Sequence, residues 1–280
     1  MIWLLLLAAI AALPFVIASV RPQIRAADRA QAGGGFAKLS QGVTHYQWLG
    51  PARGPVVVAV HGLSTPCEVW GPVAEGLGTL GYRVLVYDLY GRGLSDPATG
   101  RQDAAFFLRQ LDDLIADQGL GSDLTLMGYS MGGAIATAFA ATHPERMKRL
   151  ILLAPAGIVV KDSGLSRFIR QVPMLGDWLH YAMSALSGGQ RRGNAAAILS
   201  SLRHMLAQQL EAEHRKIGRE DIPVVALWGD KDEVIPIRAL GILAQWNRNA
   251  RQETIAGADH ALPLTHGAAV TEVLRDVLRE

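Results

Sequence analysis

The stretch Asp123-Leu124-Thr125-Leu126-Met127-Gly128-Tyr129-Ser130-Met131-Gly132-Gly133 decides the fold, because an apolar strand passes there almost directly into a small-residue helix. Residues 134–141 continue that helix, which leaves a single tight turn for Ser130. Glycines at positions 128 and 132 remove the Cβ atoms that would clash where strand and helix approach each other. This G-x-S-x-G spacing predicts a strained turn that projects the serine hydroxyl outward.

The candidate partners of Ser130 follow two later strands. Residues 224–228 form an apolar stretch that runs into a loop containing Asp232, and residues 253–255 run into a loop that ends at His260. A serine hydroxyl needs an imidazole to take its proton, and the imidazole needs a carboxylate to fix its tautomer. We therefore assign Ser130 as nucleophile, His260 as base and Asp232 as the orienting acid.

Two nearby residues are alternatives for these assignments. Asp230 lies in the same loop as Asp232, but it adjoins the strand end, where a turn-capping role is common. His266 lies at the entry to the last amphipathic helix, residues 269–278, whereas His260 directly follows its strand. The pattern favours Asp232 and His260 without excluding the other two residues.

The chain resembles the α/β-hydrolase superfamily over about residues 43–280, and within it the serine branch of carboxylesterases and monoacylglycerol lipases. Besides the serine turn, the resemblance rests on His-Gly at 61–62 after an apolar strand and on the D-x-x-G-x-G-x-S turn at 88–95. It implies a mostly parallel central sheet flanked by helices, with a helical lid inserted at about 157–220. It also implies an oxyanion hole formed by the backbone N–H groups of Leu63 and Met131.

The identity of the nucleophile limits the chemistry that this resemblance implies. Epoxide hydrolases and haloalkane dehalogenases of this fold carry aspartate at the turn, so Ser130 argues against both. A complete set of Ser130, Asp232 and His260 argues against a catalytically silent binding module. The expected activity is hydrolysis of carboxylic esters, with lipophilic acyl esters favoured. A carbon–carbon bond hydrolase with the same triad and a membrane-tethered binding module are the alternatives.

Apolar residues recur at helical spacing within the predicted lid. Most such faces pack on the core, but insertions at this position cover the serine in the family that the chain resembles. Four residues are therefore candidates for lining an apolar acyl pocket: Met174, Trp178, Leu179 and Met183. Residues 188–193 break the helical pattern and predict a basic tip.

Residues 1–20 contain no charged side chain and are predicted to form a separate unit. As a helix they would span about 30 Å, enough for the hydrocarbon core of a bilayer. A cleaved signal peptide is the alternative, but no basic residue precedes the apolar run and no suitable cleavage site directly follows it. We predict an uncleaved transmembrane anchor, then a linker over residues 21–42. Arginines at 21, 25 and 29 predict that the catalytic domain lies on the cytoplasmic side.

Composition narrows the expected partners. A net charge of +2 over 280 residues, without a basic patch interleaved with aromatic residues, argues against nucleic-acid binding. The single cysteine, Cys67, permits no internal disulfide, and no motif indicates a metal or another cofactor. The expected partners are a small lipophilic ester and, through residues 1–20, a membrane.

Overall fold

The computed structural model describes residues 1–97, 99–187 and 190–279. Gly188 and Gly189 of the predicted basic tip lie outside the described residues. The strands are β1 (Gly35–Leu39), β2 (Gly42–Leu49), β3 (Val56–Val60), β4 (Arg83–Tyr87), β5 (Leu124–Tyr129), β6 (Met147–Leu153), β7 (Val224–Gly229) and β8 (Arg251–Ile255).

The helices flank these strands, precede them or lie between β6 and β7. They are α1 (Ile2–Val20), α2 (Ala26–Gln31), α3 (Gly71–Thr79), α4 (Ala104–Asp117), α5 (Met131–Thr142), α6 (Gly164–Gln171), α7 (Leu175–Leu186), α8 (Asn194–Arg203), α9 (Glu211–Arg219), α10 (Arg238–Trp246), α11 (Leu262–Thr265) and α12 (Gly267–Arg279). Helices α6 to α9 occupy the segment 157–220 that is predicted to form the lid.

Within the described part of the chain, the eight strands form one sheet in the order β1-β2-β4-β3-β5-β6-β7-β8. The β1–β2 and β2–β4 pairs are antiparallel, and the pairs from β4–β3 onward are parallel. The predicted mostly parallel sheet is thus confirmed. β5 and β7 are buried along their whole length, because helices cover both faces of a parallel sheet.

The sheet begins earlier in the chain than the sequence pattern indicates. β1 starts at Gly35 and pairs with β2 from Gly35↔Tyr46 to Leu39↔Gly42, so it lies inside the segment 21–42 predicted as a linker. The same segment contains α2, and Arg29 forms an ion pair with Asp96 at 2.6 Å. The glycine run at 33–35 is typical of a flexible linker, but the hairpin that β1 forms with the next strand, β2, shows that this run leads into the sheet.

The turn after β4 is held by a buried ion pair between His45 and Asp88. His45 Nδ1 donates to Asp88 Oδ2 at 2.8 Å, and the backbone amides of Cys67 and Leu94 donate to the same carboxylate. Burial alone would lower the pKa of His45, but its hydrogen bonds with Asp88 and the Gly33 carbonyl raise it overall. The turn at 88–95 therefore has a structural role.

Helix α1 is almost entirely exposed and lies against the lid helix α7. The rings of Phe15 and Tyr181 are 4.8 Å apart, and Trp178 Nε1 donates to the Ile10 carbonyl at 3.4 Å. The helix has 19 residues and a mean hydropathy of 2.5, so it is long and apolar enough to cross a membrane. A membrane anchor and a signal sequence share this length and composition.

Candidate active site

Ser130 lies at the turn between β5 and α5 in a backbone conformation that non-glycine residues rarely adopt, with φ of 53°. Two hydrogen bonds hold the turn: the Ser130 amide donates to the Leu153 carbonyl at 3.0 Å, and the Ala156 amide donates to the Ser130 carbonyl at 2.9 Å. The strain is maintained because both bonds connect the turn to β6 and the segment after it. Strained residues of this kind concentrate at functional sites.

The glycines on either side of Ser130 let the strand and helix meet. A Cβ atom at Gly128 would lie 2.4 Å from the Gly132 carbonyl oxygen, and one at Gly132 would lie 2.0 Å from the Val60 carbonyl oxygen. Both obstacles are backbone atoms, which cannot move without shifting β3 or α5. A side chain at either position would therefore clash, as the sequence predicts, and glycine avoids that clash.

Replacing Gly132 by alanine is expected to lower the free energy of unfolding by about 3 kcal/mol, because overpacking against backbone forces a shift of the sheet. Gly241→Ala is the matched control, since Gly241 lies in α10 and a Cβ atom added there would have nothing within 4 Å. That change should raise stability by about 0.5–1 kcal/mol. Urea denaturation of the two variants checks the prediction, and equal effects would contradict it.

The structure brings Ser130, His260 and Asp232 together in one hydrogen-bonded chain. His260 Nε2 lies 2.9 Å from Ser130 Oγ, and His260 Nδ1 lies 2.8 Å from Asp232 Oδ2. The other carboxylate oxygen of Asp232 accepts from the amides of Val234 and Ile235, both at 2.8 Å. Since Asp232 can only accept, Nδ1 carries the proton and Nε2 is free to accept the serine proton.

The two alternative residues have other partners. Asp230 Oδ1 accepts from the Gly257 amide at 2.7 Å, which joins the loop after β7 to the turn after β8. His266 is partly exposed, and its Nδ1 lies 2.8 Å from the Thr265 hydroxyl. Neither residue is hydrogen-bonded to Ser130 within the described chain. The geometry thus favours Asp232 and His260.

The two predicted oxyanion-hole amides flank the serine. Met131 begins α5, where first-turn N–H groups have no partner inside the helix. Leu63 follows β3 and lines the same cavity as Ser130. His61 orders this loop: its Nδ1 donates to the Gly62 carbonyl at 2.8 Å, and its Nε2 accepts from the Leu89 amide at 2.9 Å. Burial lowers the pKa of His61 to about 4, so the ring is neutral at pH 7.

Arg92 is a buried residue that the sequence motifs did not single out. Its Nε donates to the Leu63 carbonyl at 2.9 Å, and its two Nη atoms donate to Gln102 Oε1 at 2.6 Å, to the Tyr90 carbonyl at 2.8 Å and to Ser201 Oγ at 2.8 Å. Burial lowers its pKa to about 9, which leaves the guanidinium charged at neutral pH. Arg92 therefore connects the loop of Leu63 to lid helix α8. The only signal in the sequence was its place in the turn at 88–95.

Arg92→Met should lower kcat by about 10-fold with little change in KM. Without the hydrogen bond from Arg92 to the Leu63 carbonyl, the predicted oxyanion donor, the Leu63 N–H group, is misplaced. Arg92→Lys keeps the charge but not the fork of donors, so it should recover only part of the loss. Arg146→Met is the control, since Arg146 pairs with Asp112 away from the serine. Steady-state kinetics of the three variants measure the effect. An unchanged kcat in Arg92→Met would refute this positioning role.

A cavity of about 580 Å³ opens above Ser130 and His260. Its walls combine apolar side chains with the polar start of α6, and the lining residues are Gly62, Leu63, Ser64, Thr65, Tyr129, Ser130, Ala156, Val160, Lys161, Asp162, Ser163, Ser166, Arg170, Leu202, Leu206, Glu233, Val234, Ile235 and His260. None of the four residues expected to line an acyl pocket (Met174, Trp178, Leu179 and Met183) is among them, so that expectation is wrong. The helix α7 that carries three of them packs against α1 instead.

One group of possible metal ligands lies within the described residues. Nδ1 or Nε2 of His45, the Cys67 sulfur and a carboxylate oxygen of Asp88 lie within 4.8 Å of one another. The His45 ring contacts Asp88 and the Gly33 carbonyl, and two backbone amides also donate to Asp88. Hydrogen bonds within the fold thus account for this group, and it is separate from the Ser130 cavity.

Two family models match the chain. Residues 51–198 match a family model described as serine aminopeptidase, S33, and residues 185–267 match one described as alpha/beta hydrolase fold. The chain belongs to the α/β-hydrolase superfamily. The predicted fold class is thereby confirmed.

Two relatives of the chain are described as a lipase and as a semialdehyde hydrolase. Lipase 3 of Moraxella sp. (strain TA144) is 29% identical over 203 residues, which are 65% of this chain and 64% of that protein. 2-Hydroxymuconate semialdehyde hydrolase of Pseudomonas putida is 26% identical over 249 residues, which are 79% of this chain and 86% of that protein. The chain spans just under two thirds of the length of the first relative.

One solved structure extends the likeness over almost the whole chain. A protein described as a membrane phospholipase A and a novel bacterial virulence factor superposes with a TM-score of 0.70 at 22% identity. The match covers 99% of this α/β hydrolase and 96% of that chain, so it includes the segment of α1. At this identity the likeness establishes the fold.

Proposed function

We propose that this α/β hydrolase is a serine esterase that cleaves carboxylic esters through an acyl-enzyme on Ser130. The observation that carries the proposal is the hydrogen-bonded chain from Ser130 Oγ through His260 to Asp232 at the base of a cavity. The lipase relative supports the ester as substrate class. A hydroxyl, a base and a carboxylate in this order are the components that nucleophilic acyl transfer requires.

The reaction follows from these contacts. His260 Nε2 takes the proton of Ser130 as the oxygen attacks the ester carbonyl, while Asp232 holds Nδ1–H and stabilises the imidazolium. The amides of Leu63 and Met131 bind the tetrahedral oxyanion, and each such donor lowers the barrier by about 3 kcal/mol. His260 then protonates the leaving alcohol. A water molecule repeats the sequence on the acyl-enzyme and regenerates Ser130.

The lining of the cavity supports a lipophilic acyl group. Val160, Leu202, Leu206 and Val234 provide apolar wall at several sides of the space, and 580 Å³ falls in the usual range for ligand pockets. Arg170 at the cavity is paired, since its Nη2 contacts Asp162 at 2.6 Å. An uncharged ester with a hydrocarbon chain therefore fits this cavity better than an anionic substrate does.

We also infer that α1 is an uncleaved membrane anchor. Its length and hydropathy support this, and so does its packing on α7, which gives the helix a defined place on the folded domain. The solved structure described as a membrane phospholipase A matches the chain through this segment. Arg21, Arg25 and Arg29 after the helix favour a catalytic domain on the cytoplasmic side.

The test is labelling of the full-length protein with a fluorophosphonate probe, combined with turnover of p-nitrophenyl esters of increasing acyl length. We expect labelling and turnover, with a preference for acyl chains that fill the cavity. Labelling without ester turnover would favour the alternative of a carbon–carbon bond hydrolase, which the Pseudomonas putida relative supports. Folded protein that does not label would favour a catalytically silent binding module.

A further inference from the structure

We propose that the outer face of the lid is a second membrane-contacting surface, which lies in the bilayer beside α1 and receives the lipid substrate there. We call this surface the outer lid face. It consists of the large apolar side chains of α6 and α7 and of the turn between them that remain exposed on the folded chain: Leu165, Phe168, Met174, Leu175, Met183 and Leu186. This inference rests on the proposed function in so far as the substrate is a lipophilic ester.

The polar side chains of α7 face the protein, and its large apolar side chains are exposed, which is the reverse of the arrangement expected for a helix in contact with water. On the inner side, Asp177 forms an ion pair with Arg203 of α8, and His180 Nε2 donates to the Ala195 carbonyl at 2.8 Å. The outer lid face by contrast leaves Leu175 65% exposed and Leu186 90% exposed. Large apolar side chains left exposed on neighbouring helices are typical of a protein or membrane contact.

The packing of α1 identifies the occupant as a bilayer. The two helices run in the same direction, since Ile10 contacts Trp178, Phe15 stacks on Tyr181, and the Arg21 guanidinium donates to the Ser184 carbonyl. The outer lid face therefore continues the exposed apolar surface of α1. A membrane that accommodates α1 accommodates α7 as well.

The contacts also give the depth of insertion. Arg21 ends the apolar run and lies at the headgroup level, where basic residues flank membrane helices. Leu175 precedes Ser184 by nine residues of α7, which places it about 14 Å along the helix axis from that level. This is about half of the 30 Å hydrocarbon core. Leu186 lies near the headgroups.

The charges near the end of α1 fit the same orientation. The Arg25 side chain is 79% exposed, and Arg192 is also exposed. The Arg192 amide donates to the Pro22 carbonyl, so the two arginines lie on neighbouring segments. Basic residues just beyond an apolar segment attract anionic headgroups. Arg25 and Arg192 thus lie where the lipid headgroups begin.

Helix α6 connects this surface to the active site. Ser163 and Ser166 line the Ser130 cavity, whereas Leu165 and Phe168 of the same segment are exposed on the outer lid face. A single helix therefore separates the proposed bilayer contact from the serine. An ester that leaves the membrane at α6 reaches the cavity without crossing bulk water.

The first experiment measures depth with an environment-sensitive fluorophore on single cysteines in the full-length protein, reconstituted in vesicles that contain anionic lipid and brominated lipids. The native Cys67 is buried and 1% exposed, so Cys67→Ala gives a clean background. We expect strong bromolipid quenching for Leu5→Cys and Leu175→Cys and weaker quenching for Leu186→Cys. Ile237→Cys, at an exposed apolar residue outside the lid segment, is the matched control and should show no quenching.

Two outcomes would overturn the proposal. Quenching at Leu5→Cys together with none at Leu175→Cys would mean that α1 enters the bilayer and the lid faces water. A blue-shifted fluorophore at Leu175→Cys without bromolipid quenching would mean that a second copy of the chain covers the face.

The second experiment compares substrates in the variant Leu175→Gln/Leu186→Gln. We expect hydrolysis of a long-chain ester in vesicles to fall about 10-fold, the equivalent of losing roughly one buried leucine. Hydrolysis of a soluble short-chain ester and fluorophosphonate labelling should stay at the wild-type level. Equal loss on both substrates would contradict the proposal, whereas a wild-type protein that neither labels nor hydrolyses would contradict the proposed function instead.

Discussion

Replacing Ser130 by alanine is expected to abolish fluorophosphonate labelling and to lower ester turnover by about 10⁴-fold or more. The reason is geometric: the Ser130 hydroxyl is the group that lies 2.9 Å from His260 Nε2 in the cavity. Without it no acyl-enzyme forms, and the remaining amides can only polarise a carbonyl for attack by water. The measurement is kcat for a p-nitrophenyl ester together with gel fluorescence of the labelled protein.

Ser166→Ala is the matched control, because Ser166 lines the same cavity and its hydroxyl contacts Ser163 at 3.0 Å rather than a histidine. It should keep labelling and turnover within about twofold, as expected for a surface change away from the reacting atoms. Thermal melting of both variants checks that they are folded. Labelling that persists in Ser130→Ala would mean that another residue is the nucleophile.

Asp232→Asn is expected to lower kcat by about 10⁴-fold while the protein remains folded. The asparagine oxygen can still accept from the amides of Val234 and Ile235, which leaves its NH₂ group facing His260 Nδ1. Nδ1 then has to accept, so the ring proton moves to Nε2. In that tautomer His260 cannot take the proton of Ser130.

The control for this change is Asp230→Asn in the same loop. Asp230 accepts one hydrogen bond from the Gly257 amide, and an asparagine oxygen can accept it equally well. Its kcat should stay within about threefold of wild type, since no reacting atom is touched. The pair of variants therefore separates the two carboxylates on the basis of kinetics. A large loss of kcat in Asp230→Asn, together with a wild-type kcat in Asp232→Asn, would mean that Asp230 is the acid.

The sequence predicted the features that depend on local geometry or on the order of parallel strands. The strand, glycine, serine and helix around Ser130 are consecutive, so their residue types are enough to predict the turn. Asp232 and His260 were predictable because each follows a strand, and the carboxyl ends of parallel strands meet at one edge of a sheet. That edge is where the three side chains form their hydrogen bonds.

The tertiary structure alone decided which face of each amphipathic element is buried, because that depends on neighbours far away in the chain. Arg92 became a connector only when α8 and the Leu63 loop met around it. Met174 and Trp178 have the spacing of a helix that packs inward, yet the fold turns them away from the cavity and toward α1 or solvent. Periodicity establishes that a helix has an apolar face, but the partner of that face is a property of the folded chain.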